Sequence, residues 1–130
     1  MLNLDSEDEG VLTVSCAGGN VSVCTLPVTR APFSGTALTV TVGGLLGGHA
    51  GSEIDKGRGN ANLLMGRVLY AVGARTPLRL VSVAGGLKDN AIPRESRAVI
   101  AVADAAAAQA AIADMDAALH DLKYAIDNEV

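Results

Sequence analysis

Two clusters of polar residues in this sequence are able to do chemistry. Asp5, Glu7, Asp8 and Glu9 put four carboxylates within five positions, and the stretch 43–59 sets seven glycines around His49, Glu53, Asp55, Lys56 and Arg58. Carboxylate oxygen and imidazole nitrogen are ligands for zinc and similar ions, so metal binding is the first chemistry to weigh. The ligands are too few: only two histidines exist, and no H-E-x-x-H, C-x-x-C or EF-hand spacing occurs. His120 falls on the polar side of an expected helix between Asp116 and Lys123, which suits a solvated surface role. Glycine loops also cradle phosphates. However, Gly47-Gly48-His49-Ala50-Gly51 has no Lys-Ser or Lys-Thr after it, and the strand-to-helix turn is too long for a dinucleotide fingerprint. What remains is His49 among small residues, free to donate a hydrogen bond to a carbonyl or a developing oxyanion, or else to bond its own backbone. Asn90, near Ile92-Pro93, reads as a turn residue.

Regular elements must position these groups. Val11–Ala17 and Val21–Val28 read as two β segments split by Gly18-Gly19-Asn20, a hairpin. Thr36–Leu45 alternates, with Leu38, Val40 and Val42 on one side and Thr39 and Thr41 on the other, as in a half-buried strand. A helix is predicted from Asn60, its N-cap, to about Ala74, because Ala61, Leu64, Met65, Val68, Leu69 and Val72 recur at helical spacing. Leu78–Ala84 and Arg97–Ala103 read as antiparallel strands. Asp104 then caps a long helix to about Ile126, whose apolar face is Ala108, Ile112, Met115, Leu119, Leu122 and Ile126.

The resulting fold class is α+β, a ferredoxin-like split βαβ unit with an antiparallel sheet and two helices on one face, plus the N-terminal β-hairpin. The second half stops one strand short of that pattern, which leaves a sheet edge open. Either the hairpin over 11–28 fills that edge or the chain is a piece of something longer.

Composition narrows the function. With 130 residues, 49% of them hydrophobic and only 18% charged, one domain can fill a core. Ten basic against fourteen acidic residues give a net charge of −4, and aromatics make up 2%. That is the wrong sign for a phosphate backbone or an anionic membrane surface, and too few rings to stack bases, so neither nucleic acid nor membrane is expected as a partner. No signal-type apolar run opens the chain, and a cytoplasmic location is the expectation. Cys16 and Cys24 are too few for a disulfide framework and read as buried thiols.

Four ordered blocks, together with that pattern, resemble the bacterial aminoacyl-histidine dipeptidases. They are the run from Asn3 through Asp5 to Gly10, then Cys16-Ala17-Gly18-Gly19, then the nineteen residues from Gly44 to Asn62, then Asn90-Ala91-Ile92-Pro93-Arg94-Glu95. These Xaa-His dipeptidases belong to the carnosinase-like superfamily of two-zinc metallopeptidases, with a lid domain inserted into a catalytic domain. The resemblance implies that residues 1–10 lead in from the catalytic domain and carry a zinc-ligand motif, with Asp5 the carboxylate on one zinc. Residues 11–130 would be the lid, or dimerisation, domain, truncated before its last strand. It further implies that His49 polarises the scissile carbonyl and steadies the oxyanion, and that Asn90 contacts substrate, with Asn60 and Arg58 on the same surface.

The remaining metal ligands, the catalytic glutamate pair and the lid arginine of that family have no counterpart here. The family commonly has His where Asp55 stands and Ser where Ala50 stands. Asp5 alone cannot hold zinc, which takes three or four protein ligands, so the chain alone should hold no metal and hydrolyse nothing. The first reading is therefore the substrate-capping, dimerising lid of a zinc-dependent Xaa-His dipeptidase, acting on dipeptides as a homodimer. The alternative is a stand-alone ferredoxin-like module that binds a small ligand or self-associates through its open edge. A third is a degenerate relic without function.

Overall fold

The computed structural model describes residues 9–12, 14–15 and 18–126, with side chains to His120. The chain divides into two units, Met1–Ala31 and Pro32–Val130, and every regular element among the described residues lies in the second. In order these are β1 (Thr36–Val42), β2 (Gly48–His49), a 3-10 turn (Ile54–Lys56), α1 (Ala61–Arg75), β3 (Leu78–Gly85), β4 (Ala91–Ile92), β5 (Ser96–Val102) and α2 (Ala105–Ile126).

The sheet has the order β1-β5-β3, antiparallel throughout. This is the split βαβ arrangement: β1 and β3 are joined through α1, and β5 slots between them. Alternation decides which face is buried. Ala98, Ile100 and Val102 of β5 point to the helices with Val40 of β1, and they meet Met65, Val68 and Val72 of α1 and Ala108 and Ala111 of α2. Leu38, Val42, Leu69, Leu78, Ile112, Met115 and Leu119 close the margins of this core. The small side chains at Ala98, Ala108 and Ala111 let α2 approach the sheet closely in a core that contains no aromatic ring. Both helices thus cover one face, as the two apolar stripes predict.

Capping follows the sequence as well. The Asn60 side chain accepts from the Asn62 and Leu63 N–H groups, and Asp104 accepts from the Ala107 N–H at 3.0 Å. Buried Thr76 ends α1 and accepts the Asp104 N–H through its hydroxyl at 3.0 Å, which ties the two helix ends together.

Three expectations are corrected. The first strand stops at Val42 rather than Leu45, because Gly44 turns the chain with φ 74°. The hairpin over Val11–Val28 does not form among the described residues: none of them is in a strand, and Leu12, Val14, Val23 and Leu26 are exposed. A two-stranded ribbon on its own is marginal in water, and two β-type segments around a glycine turn do not change that. Cys24, expected to be buried, is exposed.

Candidate functional site

The long glycine-rich stretch is an organised structure held beside the sheet. Its first anchor is a two-stranded antiparallel ribbon in which Gly48 faces Ile92 and His49 faces Ala91. The Ala50 N–H donates to the Asn90 carbonyl at 2.8 Å, and the Ala61 N–H donates to the Pro93 carbonyl at 2.9 Å. The segment 90–93 is therefore stitched both to the His49 loop and to the start of α1. Arg94 adds a bond from Nε to the Leu45 carbonyl at 3.3 Å.

The second anchor is electrostatic. The Glu53 carboxylate accepts the His49 backbone N–H on Oε2 at 2.8 Å, and Lys56 Nζ and Arg58 Nη2 on Oε1, each at 3.0 Å. Arg58 reaches back with Nη1 to the Gly47 carbonyl at 2.5 Å. The backbone N–H of His49, then Lys56 and Arg58, favour the carboxylate form and hold Glu53 down at about 2 from an ordinary 4.5. Glycine is required at position 48: φ is 145°, and a Cβ there would lie on Arg58 Nη1 and Glu53 Oε2.

The imidazole is held by its own turn. His49 is exposed, and its Nδ1 accepts the Gly51 and Ser52 N–H groups at 3.1 Å each. In a neutral ring an accepting Nδ1 leaves the proton on Nε2, which becomes the donor. The two sequence readings of His49 are compatible: it bonds its own backbone through one nitrogen and keeps the other as a donor.

The structure brings His49 and Asn90 to one ribbon and places Arg58 and Asn60 around a cavity of about 670 Å³ whose lining includes Ala50, Ala91 and Ile92, next to both. Asn60 spends its side-chain oxygen on the helix cap, and Arg58 is engaged with Gly47 and Glu53, so both have framing roles in the fold. Asp5 lies outside the described residues. Sequence reasoning named Glu53 as a polar residue of the loop but gave it no role; its position four residues after His49, across Ala50, Gly51 and Ser52, is the signal that points to a closed turn. Among the described residues no three or more His, Cys, Asp or Glu side chains cluster so as to hold a metal ion, and no helix is long and apolar enough to cross a membrane.

Residues 40–127, which include His49, Glu53, Arg58, Asn60 and Asn90, match the peptidase dimerisation domain. The chain belongs to that family. It is 44% identical over 105 residues to the cytosol non-specific dipeptidase of Escherichia coli (strain K12), covering 79% of this chain and 22% of the relative. It also superposes on the crystal structure of aminoacylhistidine dipeptidase from Vibrio alginolyticus with a TM-score of 0.59 and 38% identity, over 72% of this chain and 19% of that one. The chain thus spans about a fifth of the length of these relatives, and it is a lid or dimerisation segment of this peptidase family.

Proposed function

We propose that the chain is the substrate-capping and dimerisation lid of a zinc-dependent dipeptidase that cleaves Xaa-His dipeptides in the cytoplasm. The observation that carries this reading is the β2–β4 ribbon, which sets His49 opposite Ala91 and one residue from Asn90, with the imidazole pinned so that Nε2–H is its donor. Such an N–H donor suits a carbonyl oxygen that gains negative charge as the peptide bond is attacked. Asn90, whose carbonyl accepts the Ala50 N–H, makes a substrate contact beside it, and Arg58 and Asn60 line the adjoining cavity and take part in substrate contact at its wall.

The described residues do not fit a zinc site, so the two zinc ions of the parent enzyme belong to its catalytic domain, with residues 1–10 leading in from there and Asp5 contributing one ligand. Residues 11–130 form the lid. For dimerisation the supporting feature is β3, an outer strand of the sheet with Leu80, Val81 and Val83 exposed.

The test is turnover of dipeptides ending in histidine. In the full-length protein His49→Ala should lower kcat by about 100-fold or more with a smaller change in KM, the cost of losing one oxyanion donor. An unaltered kcat would remove His49 from the reaction, and turnover by the 130-residue chain alone with zinc would overturn the lid reading. Val83→Lys should shift the full-length protein from dimer toward monomer in sedimentation.

A further inference from the structure

Glu53 is easily dismissed as part of an exposed ion cluster, and exposed pairs contribute little stability. Its geometry argues for more. The residue closes a reciprocal turn on His49: the Glu53 N–H donates to the His49 carbonyl at 3.2 Å while the Glu53 carboxylate accepts the His49 N–H at 2.8 Å. Both backbone groups of His49 are therefore committed to this one residue. The turn so closed is the one that aims the Gly51 and Ser52 N–H groups at Nδ1.

Arg58 holds the turn from the other side. It bonds the carbonyl of Gly47, before the ribbon, and the carboxylate of Glu53, after it, and this bracket passes through the space that a Cβ at Gly48 would take. Gly51 matters in the same way, since a Cβ there would lie 3.1 Å from His49 Cε1 and 3.2 Å from Nδ1. The ring rests against a bare backbone.

We propose that Glu53 is the positioning residue of His49: through the His49 backbone and the Arg58 bracket it holds the turn whose amides keep Nδ1 an acceptor and Nε2–H the imidazole's donor. The proposal rests on the reading of His49 as a substrate-facing donor for its catalytic consequence. The positioning itself does not.

The experiment has two arms. In the first, the ¹⁵N shifts of the imidazole nitrogens are recorded on the full chain with the ring neutral, using His120→Gln to assign His49. The wild type should show Nε2–H alone. Glu53→Ala should show both tautomers in exchange, with faster solvent exchange of the Gly51 and Ser52 amides, and Glu53→Gln should restore part of the wild-type pattern because its amide oxygen still accepts the His49 N–H. If Glu53→Ala fails to fold, Glu53→Gln carries the tautomer and amide-exchange measurement in its place, and a wild-type pattern in it would overturn the proposal. Wild-type tautomer and amide exchange in a folded Glu53→Ala would overturn the proposal.

In the second arm, kcat is measured in the full-length protein. Glu53→Gln should lower it about tenfold with little change in KM, less than the roughly hundredfold of a fully misplaced catalytic group because the His49 N–H keeps an acceptor. Added to His49→Ala it should lower kcat no further, since both changes act through one ring. Additive losses would overturn the proposal. A released imidazole with unchanged turnover in both Glu53→Gln and His49→Ala would support the positioning and overturn the functional reading instead.

Discussion

The sheet-and-helix core and the glycine-rich ribbon beside it are held by different physics. In the core, Met65, Val72, Ile100 and Val102 are fully buried, and cohesion comes from apolar surface removed from water, which carries no charge to titrate. In the ribbon, the pairing is two residues long on each strand, and order depends on Gly48, on the Glu53 carboxylate with its cations and on a few backbone bonds from Asn90 and Pro93. The first region is the more sensitive to side-chain volume; the second is sensitive to a side chain at Gly48 and to the charge of Glu53. A lid needs both, a rigid base and a shaped polar edge.

The contrast is broken most strongly in the core. Ile100→Ala should cost about 2–5 kcal/mol, the usual range for emptying a filled aliphatic site, and denaturant unfolding of the whole chain measures it. Next comes Gly48→Ala, at about 1–3 kcal/mol, because the new Cβ demands a strained φ and meets Arg58 and Glu53. Amide exchange should place that loss at 47–53 and leave β5 protected, which separates the two regions within one molecule.

The caps sharpen the boundary between them. Asn60→Ala should cost about 1 kcal/mol by exposing the first amides of α1, and Asn60→Asp should recover most of it. The exposed Arg75 to Asp114 pair between α1 and α2 is the smallest effect, under about 1 kcal/mol for Arg75→Ala and smaller still in high salt.

Acid distinguishes the two regions without mutation. Glu53 is held at about 2, below its ordinary 4.5, so folding favours its charged form. Its contribution is complete above the ordinary value and is lost as pH falls from there toward 2. The His49 amide, which donates to the Glu53 carboxylate, should therefore lose protection over that interval in the wild type and show no such step in Glu53→Gln, with core amides unaffected by the substitution.

Much of this was legible in the sequence for a local reason. The apolar stripe from Ala61 to Val72, the alternation of Leu38, Val40 and Val42, and the caps at Asn60 and Asp104 are short-range patterns that a helix or a strand imposes on its own residues. The hairpin reading failed at 11–28, where none of the described residues is in a strand and Leu12, Val14 and Val23 are exposed.

The sequence by itself determined the α+β class, the order of the sheet-and-helix elements, the apolar faces and the residues His49, Arg58, Asn60 and Asn90 as a family pattern. Only the tertiary structure decided that Gly48 and His49 pair with Ile92 and Ala91, and that Glu53 closes the turn on His49. Those pairings join segments distant in the chain, or depend on a backbone shape that glycine permits without specifying. Periodicity records which face a residue presents, and packing alone selects what that face meets.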